Sequence, residues 1–337
     1  MIEAGLEVVA PGLLTTIQDT RGRPEFARYG VPTGGALDPL AAAAANALVG
    51  NDPGAAVLEI TLLGPTLRFA TQTAFALAGA DLNATLDGQS VGPGWSWFAR
   101  AGSTLSFGER RNGTRAYLAC AGGFQVPVVL GSRAADVRAG FGGLAGRAVR
   151  SGDRLPLPVI PDVVSRCGWH LTAAATAADP RQQVRVLPGP HLSRFQPGAF
   201  EELCSLEWRI AEQADRMGYR LTGPRLRHAH RADVASLGLP VGSVQVPGDG
   251  QPIVLLADHQ PTGGYTVLAC VIRADIHLLA QRAPGDAVRF AQTTHAEARA
   301  ALRTRYAQLQ GIEAEETTWA SIRWAESGSQ AVIRSPE

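Results

Sequence analysis

The 337-residue chain contains no lysine; all 31 of its basic residues are arginine. Arginine stays protonated in proteins and offers a planar fork of donors. The absence excludes a Schiff base, a phosphate-loop lysine, and biotin or lipoate carried on this chain. Excess charge of either sign is also missing: 31 basic against 30 acidic residues leave a net charge of +1. Nothing in that balance marks a nucleic-acid or anionic-membrane binder. Cysteine is scarce. Cys120, Cys167, Cys204 and Cys270 lie far apart with no C-x-x-C pair, which argues against a zinc ribbon or a redox dithiol. Disulfides are not expected in a reducing cytosol. The opening MIEAGLEVVAPGLL carries Glu3 and Glu7 and no basic stretch, so it does not read as a signal peptide. No apolar run approaches the roughly 20 residues of a membrane helix. The expected location is cytoplasmic.

Glycine (38) and proline (22) are abundant. Both suit many short strands joined by tight turns, since Gly supplies positive φ and Pro fixes φ at turn starts. At roughly 100–200 residues per domain, the length favours two domains.

Asp38 as N-cap, Pro39, an Ala-rich run to Val49 and Gly50 as the stop predict a helix over 38–49. From Ala55 to about Ala121 strand follows strand. Asp87–Gly88 and Asn112–Gly113 read as hairpin turns. Residues 165–183 read as a linker. The second half opens on VRVLP (184–188), with a short helix at 197–205 and strands near Trp208. SVQVP and IVLLAD form a hairpin around Pro247–Gly250. A helix over 274–281, the strand AVRFAQ and a helix over 297–309 close it. The pattern G-[DS]-x-[LV] starts a strand at Gly102, Gly152 and Gly285. The reading is mainly β with several helices, in domains 1–183 and 184–310, followed by a tail of uncertain order, 311–337. The alternation is too irregular for a doubly wound sheet.

Several motifs fail on context. GFGGLAG (Gly140–Gly146) is followed by more glycine and the strand-like SGDRLPL rather than a helix, so it is not a dinucleotide fingerprint. There is no G-x-S-x-G elbow, H-E-x-x-H or EF-hand loop. His228 and His230 share a strand face but lack a third ligand, so no metal site is expected. Trp95 and Trp97 read as core. Three polar, glycine-lined clusters remain: Gln18–Pro39, Ala214–Gly223 and Gln245–Tyr265. Such loops let backbone N–H groups approach carboxylate or phosphate oxygens. Glu59 lies in the apolar strand AVLEITLLG, where a buried carboxylate must be paired or protonated. It is expected either to pair with an arginine or to anchor a loop of the site.

These clusters stand among stretches that resemble one family along residues 8–308. They include TTIQD, GALDPLAAAAANALVGNDPGAAVLEITLLG, RAYLACAGGFQVPVVLGS, GFGGLAGR, SGDRLPL, DRMGYRLTG, VQVPGDGQPIVLLAD and TGGY. The chain resembles the family of 5-oxoprolinase C subunits, also described as allophanate hydrolase subunit 2, KipI antagonist or biotin-dependent carboxyltransferase family. The resemblance implies two cyclophilin-like β-barrel domains. It implies a hydrolase complex with a KipI-like B subunit and a LamB/YcsF-like A subunit, opening 5-oxo-L-proline to L-glutamate with ATP as co-substrate. ATP is then bound here or on another subunit, and no biotin is attached to this chain. Alternatives that the resemblance leaves open are a carboxyltransferase-like subunit of a urea or amide carboxylase, and a non-enzymatic regulator of a KipI-like protein.

A developing oxyanion on such a carbonyl needs cationic or N–H donors. Arg23, Arg216 and the Gly263–Gly264 amides are the candidates, with Asp258 or Asp215 to orient an N–H or act as base. Catalysis is therefore expected at Asp258, Asp215 and Arg216, and substrate binding at Gln18, Asp19, Arg23, Gln245, Gln260, Gly263, Gly264 and Tyr265. Glu59, Asp38 and Tyr219 are expected to support them. The sequence departs from the family pattern at several places. QDTRGR is one residue longer than the usual spacing. Gly34 and Ala214 replace common Ser positions, Pro261 and Thr266 replace a Thr and a Pro around the TGGY loop, and Val267 falls where Lys or Arg is frequent. Pro261 removes a backbone donor and a hydroxyl.

Overall fold

A computed structural model describes residues 5–171, 182–310 and 314–316. The first half runs β1 (Gly5–Ala10), β2 (Leu14–Gln18), α1 (Pro39–Leu48), β3 (Val57–Thr61), β4 (Thr66–Phe69), β5 (Thr73–Asp81), β6 (Thr85–Leu86), β7 (Gln89–Ser90), β8 (Trp95–Ala99), β9 (Thr104–Ser106), β10 (Asn112–Cys120), β11 (Arg154–Pro156) and β12 (Trp169–Leu171). The second runs β13 (Val184–Pro188), α2 (Ala199–Ser205), β14 (Glu207–Ile210), β15 (Gly218–Thr222), β16 (Asp233–Gly238), β17 (Ser243–Val246), β18 (Ile253–Leu255), β19 (Thr262–Val271), α3 (Ile276–Ala280), β20 (Ala287–Gln292) and α4 (His295–Gln310). β21 (Ala314–Glu316) returns to pair with β12 of the first half.

The mainly β expectation holds. In the second half, the order β13-β20-β14-β15-β18-β17-β19 closes through β13–β19 into a seven-stranded barrel, with β16 added outside on β19. Its interior is filled by residues such as Val184, Trp208, Leu221, Val244, Val254 and Phe290. In the first half, two sheets lie face to face: β11-β1-β4-β9-β6-β7 and β2-β3-β10-β5-β8-β12-β21. Leu6, Val8 and Leu67 of one meet Ile17, Leu58, Phe75 and Leu118 of the other. The opposite face of the second sheet is covered by α1, where Ala42, Ala45 and Leu48 pack on Ala74, Ala76, Tyr117 and Ala119.

Local chemistry explains the elements. The Asp38 carboxylate accepts from the Ala41 N–H at 3.2 Å and caps α1, and Pro39 needs no partner for its nitrogen. Asp87 and Gly88 take the positive φ that a tight hairpin between β6 and β7 requires. The three G-[DS]-x-[LV] segments share one geometry. Gly102, Gly152 and Gly285 have φ of 88, 86 and 85°, each donates its N–H to a neighbouring strand, and β9, β11 and β20 begin two residues on.

Asn112–Gly113 departs from the expectation of a hairpin. Both residues lie inside β10, at a bulge where the register against β5 shifts between Asn112 and Ala116. The positive φ of Gly113 (72°) serves the bulge rather than a reversal. The bulge turns the Thr114 and Arg115 N–H groups away from the sheet, and both donate to Gln281 Oε1 at 3.0 and 3.1 Å. Gln281 Nε2 returns bonds to Asp38 Oδ2 and the Arg115 carbonyl, each 3.1 Å. One side chain of the second half thus holds two parts of the first, β10 and the cap of α1. The expected linker at 165–183 holds β12 at its start; residues 172–181 fall outside the described residues, as do 317–337 of the tail.

Among the described residues, no helix is long and apolar enough to cross a membrane. Replacing Gln281 with Ala strands two buried amides, at a cost of about 1–3 kcal/mol for each. Urea denaturation of Gln281→Ala should show a clearly lower midpoint. An unchanged midpoint would mean that the two halves are held together elsewhere.

Candidate functional site

The three polar clusters meet at the guanidinium of Arg216, which follows the turn into β15 and is 5% exposed. Its Nε and Nη2 hold the two oxygens of Asp258 at 2.8 and 2.9 Å. Nη2 also donates to the Gly35 carbonyl at 2.7 Å, and Nη1 reaches Glu59 Oε1 on β3 at 2.5 Å. One buried cation therefore ties the barrel, the first-half sheet and the Gly34–Gly35 loop. Glu59 extends the network. Its Oε2 accepts from the Leu37 N–H at 2.9 Å and the Tyr117 hydroxyl at 2.8 Å. Both readings of Glu59 are realised in this geometry: it is paired with arginine, and it holds the loop.

Arg23 converges on the same place from the first cluster. Its Nε and Nη2 donate to the carbonyls of Val129 and Ala134 at 3.0 and 2.6 Å, and the group lies 4.8 Å from the Phe141 ring centre. The third nitrogen, Nη1, is turned towards Gly34. A Cβ on Gly34 would sit 3.5 Å from Arg23 Nη1 and 4.0 Å from Asp258 Oδ1. Arg23, Asp258 and Arg216 are thus neighbours around one glycine. The GFGGLAG segment makes this possible: a Cβ on Gly142 would lie 2.6 Å from Arg23 Nη2 and collide with the Ala134 carbonyl. Its glycines serve close packing.

The two carboxylates on Arg216 differ in electrostatics. For Glu59, burial favours the neutral form, but Arg216 and Arg115, with the bonds from Leu37 and Tyr117, outweigh it and hold the carboxyl below the usual range. For Asp258, burial wins over the pull of Arg216, aided by repulsion from Glu59 and Asp136, and the carboxyl is raised. Arg23 is lowered by burial, against the attraction of Asp19, Asp136 and Asp258. Glu59 is therefore a fixed negative anchor. Asp258 is the one of the two whose protonated form burial favours.

Other expected residues are placed differently. Asp215 is exposed, and its Oδ1 accepts from the Met217 and Gly218 N–H groups at 2.8 and 3.2 Å. It shapes the turn that presents Arg216 and stands outside the buried Arg216–Asp258–Glu59 network. Asp19 is buried with both oxygens engaged, Oδ1 by the Arg21 and Gly22 N–H groups and Oδ2 by Ser132 and Arg133. Gln18 is buried and donates to Thr16 and the Ala135 carbonyl. Both hold neighbouring backbone, and Gln18 Oε1 is buried without a hydrogen-bond partner. Tyr265 is 43% exposed on β19, opposite Asp233 of β16. Gln245, Gln260 and Gly263 form a second grouping: a Cβ on Gly263 would lie 3.1 Å from Gln245 Nε2 and 3.6 Å from Gln260 Nε2. A Cβ on the adjoining Gly264 would instead face the Val234 carbonyl and Ser236 of β16. Asp38 caps α1 and accepts from Gln281 Nε2. The Tyr219 hydroxyl accepts from Arg115 Nη1 at 2.6 Å and donates to the Arg282 carbonyl at 3.1 Å. His228 stacks on Phe195 and contacts Thr266 Oγ1 at 2.9 Å. Among the described residues, no group of three or more His, Cys, Asp or Glu could hold a metal ion.

Sequence reasoning missed Arg115, Tyr117 and Asp136. Arg115 Nε lies 3.7 Å from Glu59 Oε1, an ion-pair contact too long for a hydrogen bond. The signal was present: Tyr117 pairs directly with Glu59 across β10 and β3, so period-two alternation puts Arg115 on the same face.

A carboxyl held below its unfolded value adds stability above that value and loses it as pH falls through the folded one. Glu59 should thus contribute to acid unfolding beneath its ordinary value of 4.5. Asp258, raised in the fold, acts with the opposite sign. Glu59→Gln should lower stability at pH 7 by about 3–5 kcal/mol, the scale of breaking a buried pair, and flatten the loss of stability below pH 4.5. Denaturant midpoints against pH test this; an unaltered acid slope would count against Glu59 as the buried anion.

Comparison with known proteins bears on the family of the chain. The model of the family described as carboxyltransferase domain, subdomain A and B, matches residues 29–292. The chain is 41% identical to the 5-oxoprolinase C subunit of Escherichia coli K12, over 87% of this chain and 93% of that protein. It is 36% identical to the 5-oxoprolinase C subunit of Haemophilus influenzae, over 84% of this chain and 89% of that one. Among solved structures, K. lactis urea amidolyase superposes with a TM-score of 0.84 at 28% identity, over 94% of this chain but only 20% of that much longer one. Shared fold, matched length and the two bacterial relatives lead to one conclusion: the chain belongs to the carboxyltransferase domain family, together with the bacterial 5-oxoprolinase C subunits.

Proposed function

We propose that the chain is the C subunit of a cytoplasmic 5-oxoprolinase complex that opens 5-oxo-L-proline to L-glutamate with ATP, working with the A and B subunits. The observation that carries this reading is the match to the E. coli C subunit over 93% of its length, joined to the meeting of Arg23, Arg216 and Asp258 around Gly34. A lactam carbonyl is a poor electrophile, and ATP supplies the activation by making its oxygen a leaving group. A lysine-free chain without a phosphate loop suits a complex in which the nucleotide sits on another subunit.

This chain's own residues then have distinct tasks. Arg23 Nη1 offers a permanent positive charge to a developing oxyanion, and it keeps this role across the pH range because guanidinium does not titrate. Asp258 Oδ1 lies on the same side and accepts a proton from the attacking water, its raised pKa bringing it closer to neutral pH. Arg216 does not leave its buried ion pairs. It fixes the Asp258 rotamer with two bonds, so the carboxylate is positioned before substrate arrives.

A second reading is favoured by the likeness to urea amidolyase: a carboxyltransferase that moves a carboxyl group between biotin on another chain and an amide. Co-expression with the A and B subunits separates the two. The complex should show 5-oxoproline-dependent ATP hydrolysis, and Asp258→Asn should reduce it by at least about 100-fold, the usual scale for a lost acid–base group, with the complex still assembled on a sizing column. Biotin-dependent carboxylation of urea or an amide, without 5-oxoproline turnover, would replace the first reading with the second.

A further inference from the structure

Gln245 lies on β17 between two partners. Val244 pairs with Val254 and Ala269, and all three point into the barrel. Gln245 pairs with Ile253 and Val267 and therefore points outward with them. A β-bulge lies opposite, where the register against β19 shifts between Val244 and Gln245. The outward face is not open to water. It carries a small apolar cluster of Leu239, Leu255 and Val267, with Leu237 and Ile253. Gln245 is only 2% exposed there, and its Nε2 has no hydrogen-bond partner. An unpaired amide in apolar surroundings costs about 1–3 kcal/mol. Nearly all buried polar groups are satisfied, so this one implies a missing partner.

The surroundings describe that partner. Gly263 faces Gln245 without a side chain, and the exposed Gln260 brings a second carboxamide to the rim. The segment from Asp258 to Gly263 connects this grouping to the acid–base pair. Turned either way, a carboxamide presents a donor and an acceptor side by side. Its complement is a group with C=O and N–H on one edge. An ordinary secondary amide is trans and carries them on opposite edges. A ring forces them onto the same edge.

We infer that Gln245 is a specificity-determining residue that reads the cis-amide edge of a cyclic amide through paired hydrogen bonds, against the apolar wall formed by Leu239, Leu255 and Val267. The inference rests on the reading of the chain as acting on an amide-like carbonyl compound, and it assigns the contact that distinguishes a lactam from open-chain amides. Leu239, whose tip lies close to Gly263, is the side chain that must move aside for entry.

The test uses the full chain and three probes in ligand-observed NMR titrations: 2-pyrrolidinone, N-methyl-2-pyrrolidinone, which lacks the N–H, and N-methylacetamide, which is trans. The lactam should bind at least about tenfold more tightly than either control, the scale of one or two lost hydrogen bonds. Gln245→Leu should erase that difference while its melting temperature stays level or rises, because an unpaired buried amide has been removed. In the complex with the A and B subunits the same variant should raise KM for 5-oxoproline by at least about tenfold. Equal binding of all three probes, or a Gln245→Leu chain that still prefers the lactam, overturns the inference and leaves a trapped water as the partner. A complex inactive towards 5-oxoproline in which this chain still shows Gln245-dependent lactam binding overturns the functional reading instead.

Discussion

Arg216 sits where two β units meet, and its charge cannot be removed. In a chain whose every basic residue is arginine, a buried cation must be matched where it stands, because neutralisation is not available. Two carboxylates from different parts of the chain supply the match, Glu59 and Asp258. Their pairing with one guanidinium brings residues 59, 216 and 258 together. It also fixes the loop at Gly35 and Leu37, whose carbonyl and amide are claimed by Arg216 and Glu59. A buried ion pair of this kind is weak support for stability compared with an apolar replacement, yet breaking it is expensive. What it secures here is the mutual placement of two halves and one loop.

The rest of the network follows from the same constraint. Arg115 adds a second cation near Glu59 and needs its own acceptors, which it finds in Tyr219 and the Ala280 carbonyl of the barrel half. The bulge at Gly113 exposes two amides that Gln281 collects. Each of these features of the first half has a polar group of the opposite half as its counterpart. The junction is thereby specified by hydrogen bonds, whereas the barrel and the sandwich are specified by apolar side chains of period two.

Legibility in the sequence followed the range of the interactions. Local chemistry was readable: the Asp38–Pro39 cap, the Asp87–Gly88 hairpin and the three glycine-initiated strands all depend on neighbours a few residues away. Asn112–Gly113 misled because the same positive φ serves a turn or a bulge, and only the distant Gln281 decides which. Polar clusters were recognisable as groups, but not the task of each member. Asp19 and Asp258 look alike in sequence, both acids in glycine-lined loops. One is saturated by four protein donors, and the other keeps an oxygen facing Arg23 and Gly34. Asp215 and Arg216 are adjacent, yet one is exposed and the other buried.

The division of labour between the two carboxylates has a further physical consequence. Glu59 is fully enclosed and receives hydrogen bonds from Arg216, Leu37 and Tyr117, so its charge is stabilised by groups that cannot move away. Asp258 depends chiefly on Arg216 for its charge stabilisation and feels the repulsion of Glu59 and Asp136. Any added cation near Gly34 would lower it, and any added anion would raise it further. On the proposed reading, an anionic substrate group drawn in by Arg23 would make Asp258 a stronger base as it arrives, since like charge disfavours the ionised form. Binding and base strength would then be coupled through one site, with the two bonds from Arg216 holding the Asp258 geometry while the proton affinity changes.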